Sequence, residues 1–178
     1  DISATVDYLL LEALHEAPQF SLISMGNSNA LGCYCPLNSL LRGTIKAIAS
    51  EYDIIIIDAE AGIEQVNRQV VESVDYPVIV TDNSVRGVST AKMIQEIIQR
   101  VPGMTPVSTG VIFNRVSGES PELIKMIKEN GLLYYGSIRP DPEITAIDIK
   151  GDHVFSINDS SPALRELGEI LSQMRIWD

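Results

Sequence analysis

Short apolar runs that alternate with amphipathic stretches constrain this fold more than any other feature of the sequence. The apolar runs predict strands at 20–25, 53–58, 76–81, 107–114 and 132–138. The stretches between them predict helices at 37–50, 64–73, 84–100, 120–129 and 141–147, with a last helix capped by 159–162 and ending near Met174. This alternation predicts an α/β fold: a doubly wound, mostly parallel sheet with helices on both faces. We expect one domain over residues 1–178.

Helix-capping residues support these assignments. Ser84 is placed as the N-cap of the 84–100 helix, because its hydroxyl can accept a bond from a free backbone N–H of the first turn. Ser120-Pro121-Glu122 opens the next helix with proline in its first turn, and Asn130-Gly131 closes it.

Charge and composition exclude several classes of function. Asp and Glu number 24 against 13 Lys and Arg, which gives a formal net charge of −11 and disfavours nucleic acid and anionic membrane surfaces as partners. Two cysteines are too few for a disulfide scaffold, which favours a cytoplasmic location. No apolar run is long enough for a membrane span and no basic segment marks a signal peptide, so we expect neither.

Polar residues follow the predicted strands at the edge where parallel sheets bind ligands. Asp58 comes directly after Ile54–Ile57, and a carboxylate there can hold Mg²⁺ through water. Gly62 would let its backbone N–H approach a phosphate closely. The alternative is an ordinary turn, since many parallel strands end in an acid followed by a glycine.

Two further strand ends carry candidate binding residues. The amide of Asn114 has a donor and an acceptor side by side, which suits the edge of an adenine ring. Arg115 can stack on a base or reach a phosphate. The alternative is a helix-capping Asn beside a surface Arg. The loop 139–141 follows the last strand, whereas the loop 82–84 favours a plain N-cap over a ligand-sensing role.

Cys33 and Cys35 flank Tyr34 and form a candidate metal site. In an extended segment both sulfurs point the same way, but two thiolates do not complete a tetrahedral site of four ligands. A two-fold dimer with this segment on its axis would supply four. The alternative is a pair of unliganded thiols in a loop; we favour the metal site.

The sequence resembles the accessory ATPases of carbon monoxide dehydrogenase maturation in five segments: GCYCPLNSLLR, YDIIIIDAEAGIEQVNR, VTDNSVRGVSTAKMI, VIFNRV and IRPDPEI. These are nickel-insertion proteins of the deviant-P-loop group, which also holds septum-site ATPases, nitrogenase iron proteins and arsenite-pump ATPases. The resemblance runs from about Ser21 to Pro142, and the Cys-x-Cys segment points to the nickel-associated branch.

The resemblance implies a role for each candidate residue. Asp58 would be the magnesium-side acid of the Walker B strand, and Gly62 the switch glycine at the terminal phosphate. Asn114 would recognise adenine, with Arg115 beside it. The loop of Arg139, Pro140 and Asp141 would contact the base or the ribose. Cys33 and Cys35 would bind Zn²⁺ or Ni²⁺. The cofactors implied are ATP or ADP with Mg²⁺, and the partners are a second copy of the chain and carbon monoxide dehydrogenase.

One departure from the family is large. No G-x-x-x-x-G-K-[ST] loop occurs in the sequence. By comparison with the family, the chain lacks roughly 60–90 residues at its start, about two βαβ-sized units. We therefore expect the C-terminal part of a P-loop NTPase-like domain that by itself binds nucleotide poorly and hardly hydrolyses it.

The function expected for the intact protein is ATP-dependent assistance of nickel insertion. Two alternatives stay open: a non-hydrolysing dimerisation module derived from the same fold, and an ATPase of the septum-site or partition type, which needs no Cys-x-Cys.

Overall fold

A computed structural model describes residues 14–23, 48–59, 73–174 and 176 of the chain. The chain divides into two compact units, residues 1–72 and 73–178. The single domain expected over residues 1–178 stays a prediction.

The first unit contains an antiparallel hairpin. Strand β1 (Leu14–Glu16) pairs with strand β2 (Ser21–Ile23). β2 lies inside the strand predicted at 20–25, whereas β1 was not predicted. A three-residue strand is too short to show the two-residue alternation on which strand prediction rests.

The strand predicted at 53–58 is wrong. Ile54–Ile57 have no regular secondary structure and are 38–87% exposed. Branched side chains favour extended backbone, but a strand exists only through hydrogen bonds to a neighbouring strand. No described residue pairs with this run in a sheet.

The helices predicted at 37–50 and 64–73 lie mostly outside the described residues. The end of the 37–50 helix is described, and there Ala49–Glu51 form a short 3-10 turn. Of the helix predicted at 64–73, only Ser73 is described, and it is not helical.

The described residues of the second unit form a parallel sheet and four α-helices. The strands β3 (Val78–Thr81), β4 (Gly110–Asn114) and β5 (Leu133–Ile138) pair in the order β3-β4-β5. The helices are α1 (Val85–Ile98), α2 (Pro121–Glu129), α3 (Pro142–Lys150) and α4 (Pro162–Met174). A 3-10 turn at Val154–Ser156 precedes α4. The predicted α/β class with a parallel sheet is confirmed.

Helices cover both faces of this sheet. Val111 and Phe113 of β4 are fully buried in a cluster with residues of α1 and α2. Ile112, between them, packs in a second cluster with Ile170 and Met174 of α4. Because successive side chains of a strand point to opposite faces, this division confirms the doubly wound arrangement.

The predicted helix starts are confirmed at two caps. The Ser84 hydroxyl accepts a bond from the Gly87 N–H at 3.0 Å. The Ser120 hydroxyl accepts one from the Leu123 N–H at 3.3 Å, and Pro121 occupies the first turn. Among the described residues, no helix is both long and apolar enough to cross a membrane.

Contact between β4 and β5 requires a glycine. A Cβ added to Gly110 would lie 2.3 Å from the Cε2 atom of Tyr135 on the neighbouring strand. The Tyr135 ring is held in place because its hydroxyl shares a 2.7 Å hydrogen bond with that of Ser108.

Candidate functional site

Hydrogen bonds join the three loops at the carboxyl ends of β3, β4 and β5. We call residues 82–84, 114–120 and 139–141 the strand-end edge. The Asn83 Nδ2 donates to the Gly118 carbonyl at 3.0 Å, which links the first loop to the second. The Val116 N–H donates to the Ile138 carbonyl at 3.1 Å, which links the second loop to the end of β5. Parallel sheets bind ligands at such an edge.

A carboxylate holds the second loop against β5. The Glu119 Oε1 accepts bonds from the Tyr134 hydroxyl at 2.7 Å and from the Ser137 hydroxyl at 3.0 Å. Burial raises the pKa of Tyr134, and the adjacent Glu119 carboxylate raises it further. The phenol therefore stays protonated and keeps donating across the neutral pH range.

Asn114 and Arg115 stand at the centre of the strand-end edge. Asn114 is the last residue of β4, is half-buried, and its side-chain amide makes no hydrogen bond to another described residue. Arg115 has a φ of +59°, a left-handed conformation that non-glycine residues rarely adopt. Its Nη2 lies 3.6 Å from Oδ2 of Asp148, in an ion pair whose side chains are 74% and 60% exposed. Such a pair contributes little to stability, so the guanidinium can exchange partners.

Arg139 is held by a residue of α4. Its backbone N–H donates to Oε2 of Glu166 at 2.8 Å, and its Nε donates to Oε1 of the same carboxylate. The Glu166 side chain is 18% exposed and that of Arg139 is 63% exposed. Pro140, the next residue, is exposed.

The carboxylate of Asp141 connects two helix starts. Its Oδ1 accepts from the Glu143 N–H at 2.8 Å, as the N-cap of α3. Its Oδ2 accepts from the Ser161 hydroxyl at 2.7 Å and from the Ala163 N–H at 3.4 Å. The bond from Ser161 is the largest cause of a lowered pKa of Asp141, and the backbone bonds act in the same direction against burial. A contact of Asp141 with a ligand stays a prediction, while its carboxylate shapes the loop.

The loop after β3 contains an N-cap and an unpartnered oxygen. Ser84 donates to Oδ1 of Asp82 at 2.6 Å and caps α1, as the sequence favoured. The Oδ1 of Asn83 is buried and accepts no hydrogen bond within the described part of the chain. A Cβ on Gly87 would lie 2.3 Å from the Thr81 hydroxyl, so only glycine lets α1 begin this close to β3.

The other predicted site residues lie elsewhere or outside the described ranges. Asp58 belongs to the first unit and is exposed. Gly62, Cys33 and Cys35 lie outside the described residues. Within ranges 14–23, 48–59 and 73–174 no three His, Cys, Asp or Glu side chains group to hold a metal ion.

Sequence reasoning missed Glu166. It is one of two acidic residues on an amphipathic helix, the other being Glu169, and no local pattern distinguishes the two. Its role appears only once the fold brings α4 beside the end of β5.

Three side chains at the strand-end edge carry groups of the kind that bind nucleotides. Asn114 offers an amide with no partner among the described residues, which can donate to and accept from a base. Arg115 and Arg139 offer guanidinium groups that can stack on a base or bind phosphate.

The comparisons with known proteins find relatives but no matching protein-family model. An uncharacterized ATP-binding protein of Methanocaldococcus jannaschii, MJ0685, is 32% identical over 173 residues, 95% of this chain and 68% of the relative. The carbon monoxide dehydrogenase accessory protein CooC of Rhodospirillum rubrum is 30% identical over 168 residues, 88% of this chain and 58% of that protein. The chain thus spans between about half and two thirds of the length of these relatives.

A solved structure agrees with the fold. The crystal structure of a ParA family ATPase from Chlorobium tepidum superimposes with a TM-score of 0.68, at 22% identity, over 96% of this chain and 73% of that one. At this identity the likeness shows the fold alone. Since MJ0685 is 32% identical over most of both chains, this chain, which has the fold of the ParA family ATPase, belongs to the family of ATP-binding proteins that includes MJ0685.

Proposed function

We propose that the protein is an ATP-dependent metallochaperone that assists nickel insertion into carbon monoxide dehydrogenase. It would act as a homodimer controlled by nucleotide, with a metal site shared through Cys33 and Cys35. The observation that carries the proposal is the 30% identity to the accessory protein CooC in a chain that also contains a Cys-x-Cys segment.

The proposed contacts with the nucleotide are those that the family resemblance implies. In this proposal the amide of Asn114 reads adenine, with Arg115 beside the base and the 139–141 loop along the base or ribose. Asp58 holds Mg²⁺ through water and Gly62 lies against the terminal phosphate. ATP, when bound, supplies the free energy that favours the closed dimer, and its hydrolysis removes that contribution.

The metal would be cargo shared by two protomers. Cys33 and Cys35 of each protomer together provide four thiolates, the number of ligands that a tetrahedral Zn²⁺ or Ni²⁺ site takes. The dimer axis passes between the two segments. Closing or opening the dimer then changes the affinity for the metal.

The first test is metal content and native mass of the full-length protein, meaning the complete product of the reading frame that contains this sequence. We expect about one metal ion per two chains, the ratio of a shared four-thiolate site. C33S and C35S should each lose the metal and the dimer together. Y34F, which keeps both thiols, is the matched control and should retain both. A metal-free protein whose mass ignores the cysteine substitutions would contradict the shared site.

The second test separates the proposal from its alternatives. Metal affinity is measured with and without ATP, and equal affinities would exclude the coupling. A dimer that binds the metal but never hydrolyses ATP would favour the interaction module. Retention of the cellular function in C33S and C35S would favour an ATPase of the septum-site or partition type.

A further inference from the structure

We propose that Glu166 is a positioning residue for the nucleotide base, acting through the 139–141 loop. This inference rests on the proposed function, because it assumes that this loop borders the base or ribose. Glu166 itself does not need to touch the nucleotide. It fixes the course of the backbone and the direction of the Arg139 side chain.

The first step of the argument is the double contact between Glu166 and Arg139. One carboxylate oxygen accepts from the Arg139 backbone N–H at 2.8 Å, and the other accepts from the Arg139 Nε. A carboxylate that binds the backbone and the side chain of one residue fixes both. Hydrogen bonds to a carboxylate are stronger than those between two neutral groups, and here one of the two donors is charged as well.

The second step is the opposite end of the loop. Asp141, two residues later, accepts from Ser161 and Ala163 at the start of α4. The loop is therefore attached to α4 at Arg139 and again at Asp141. A short segment attached at both ends to one helix has few conformations left.

The third step is the anchoring of α4. Ile170, one turn after Glu166, is 3% exposed and packs with Ile112 of the central strand. Met174 follows in the same cluster at 7% exposed. The apolar face of α4 thus fixes the helix on the sheet, and Glu166 on the next turn back reaches the end of β5. The packing of α4 against the sheet therefore also restricts the conformation of the 139–141 loop.

The substitution E166Q tests this arrangement without removing the side chain. The glutamine NH₂ group cannot accept a hydrogen bond, so one of the two bonds from Arg139 is lost, and the bond that remains is to a neutral oxygen and is therefore weaker. E169Q is the matched control: Glu169 lies on the same helix, is exposed, carries the same charge and makes no hydrogen bond or ion pair with another described residue.

The first measurement needs no nucleotide. Hydrogen exchange of the Arg139 amide in the chain should be about tenfold faster in E166Q than in the unsubstituted protein or in E169Q. Unchanged exchange would overturn the inference, because the contact would then not order the loop. Exchange at the fully buried Val111 reports whether the fold is retained.

The second measurement compares three probes in the full-length protein: ADP, GDP and inorganic tripolyphosphate, which has no base or ribose. We expect E166Q to bind ADP about tenfold more weakly and to lose preference for ADP over GDP, with tripolyphosphate binding unchanged. Aspartate in E166D keeps the charge and should restore part of the preference. Equal loss for all three probes would indicate a general structural role and overturn the inference.

The outcomes also separate this inference from the proposed function. If the unsubstituted protein binds neither ADP nor GDP, the proposed function fails, and the positioning role fails with it. If it binds ADP with a clear preference that E166Q leaves intact despite faster exchange of Arg139, only the positioning role fails.

Discussion

The lowered pKa of Asp141 makes the stability of the folded chain depend on pH. Its pKa is lowered in the folded protein, chiefly by the Ser161 hydroxyl bond. A group with a lowered folded pKa stabilises the fold above its unfolded pKa, about 3.9 for Asp, and this contribution disappears as pH falls through the folded value. D141N should therefore be less stable than the unsubstituted chain at pH 7, and the difference should shrink below about pH 4. Urea unfolding midpoints measure it.

The matched control for this prediction is D152N. Asp152 is exposed and makes no side-chain hydrogen bond or ion pair within the described ranges. Its substitution should leave the urea midpoint nearly unchanged at both pH values. A difference for D141N that stays constant from pH 7 to pH 3 would show that the ionised carboxylate is not what stabilises the loop.

Arg115 combines an unfavourable backbone conformation with a candidate binding role. Its φ of +59° is accessible to glycine without strain, and its exposed ion pair with Asp148 contributes little. R115G should therefore raise the free energy of unfolding by about 0.5–1 kcal/mol. The same variant should bind ATP more weakly. R115V, which is branched at Cβ, should instead lower the free energy of unfolding. A higher free energy of unfolding for R115V would contradict the explanation from backbone strain.

The sequence identifies only those site residues whose chemistry is visible locally. Asn114 follows an apolar run, and Ser84 precedes a helical pattern, so both could be placed at strand and helix ends. Glu166 gains its role from a contact with Arg139, 27 positions away in sequence. The spacing of apolar residues along the sequence does not indicate a contact between residues so far apart.

At the scale of elements, the β4–β5 pair depends on Gly110. A Cβ there would lie 2.3–2.7 Å from the Tyr135 ring, which the Ser108 hydroxyl bond holds in place. G110A should lower the free energy of unfolding by about 1–3 kcal/mol through overpacking. G118A is the control, because, apart from its chain neighbours, no described residue has an atom within 4 Å of the Cβ it would add. Equal effects of the two substitutions, measured by chemical denaturation, would contradict the packing argument.

Helices and strands are predicted correctly where the sequence pattern that indicates them lies within the element itself. The second unit's helices were predicted because caps such as Ser120 and the apolar periodicity both lie within the helix. The isoleucine run at 54–57 failed for the opposite reason, since pairing requires a partner strand elsewhere in the chain. The hairpin strand Leu14–Glu16 was missed because pairing alone defines so short an element.

At the scale of the whole molecule, the net negative charge predicts that the protein does not bind DNA. The formal net charge is −11, with 24 acidic residues against 13 Lys and Arg. Duplex DNA is strongly anionic, so we expect no retardation of DNA by a protein of this sequence at physiological salt, with or without ATP. A gel-shift assay with a basic DNA-binding protein as control tests it. ATP-dependent retardation would favour an activity on DNA over metal delivery.

The hydrogen bonds along residues 116–119 also bear on how related sequences can vary in length. Val116 is tied to β5, Gly118 to the loop after β3, and Glu119 to Tyr134 and Ser137. One inserted residue would break at least one of these bonds at the site. Gly103 lies in the loop between α1 and β4, and no described residue other than its chain neighbours has an atom within 4 Å of a Cβ added there. Insertions and deletions accumulated over evolution should therefore concentrate near Gly103 and spare 116–119.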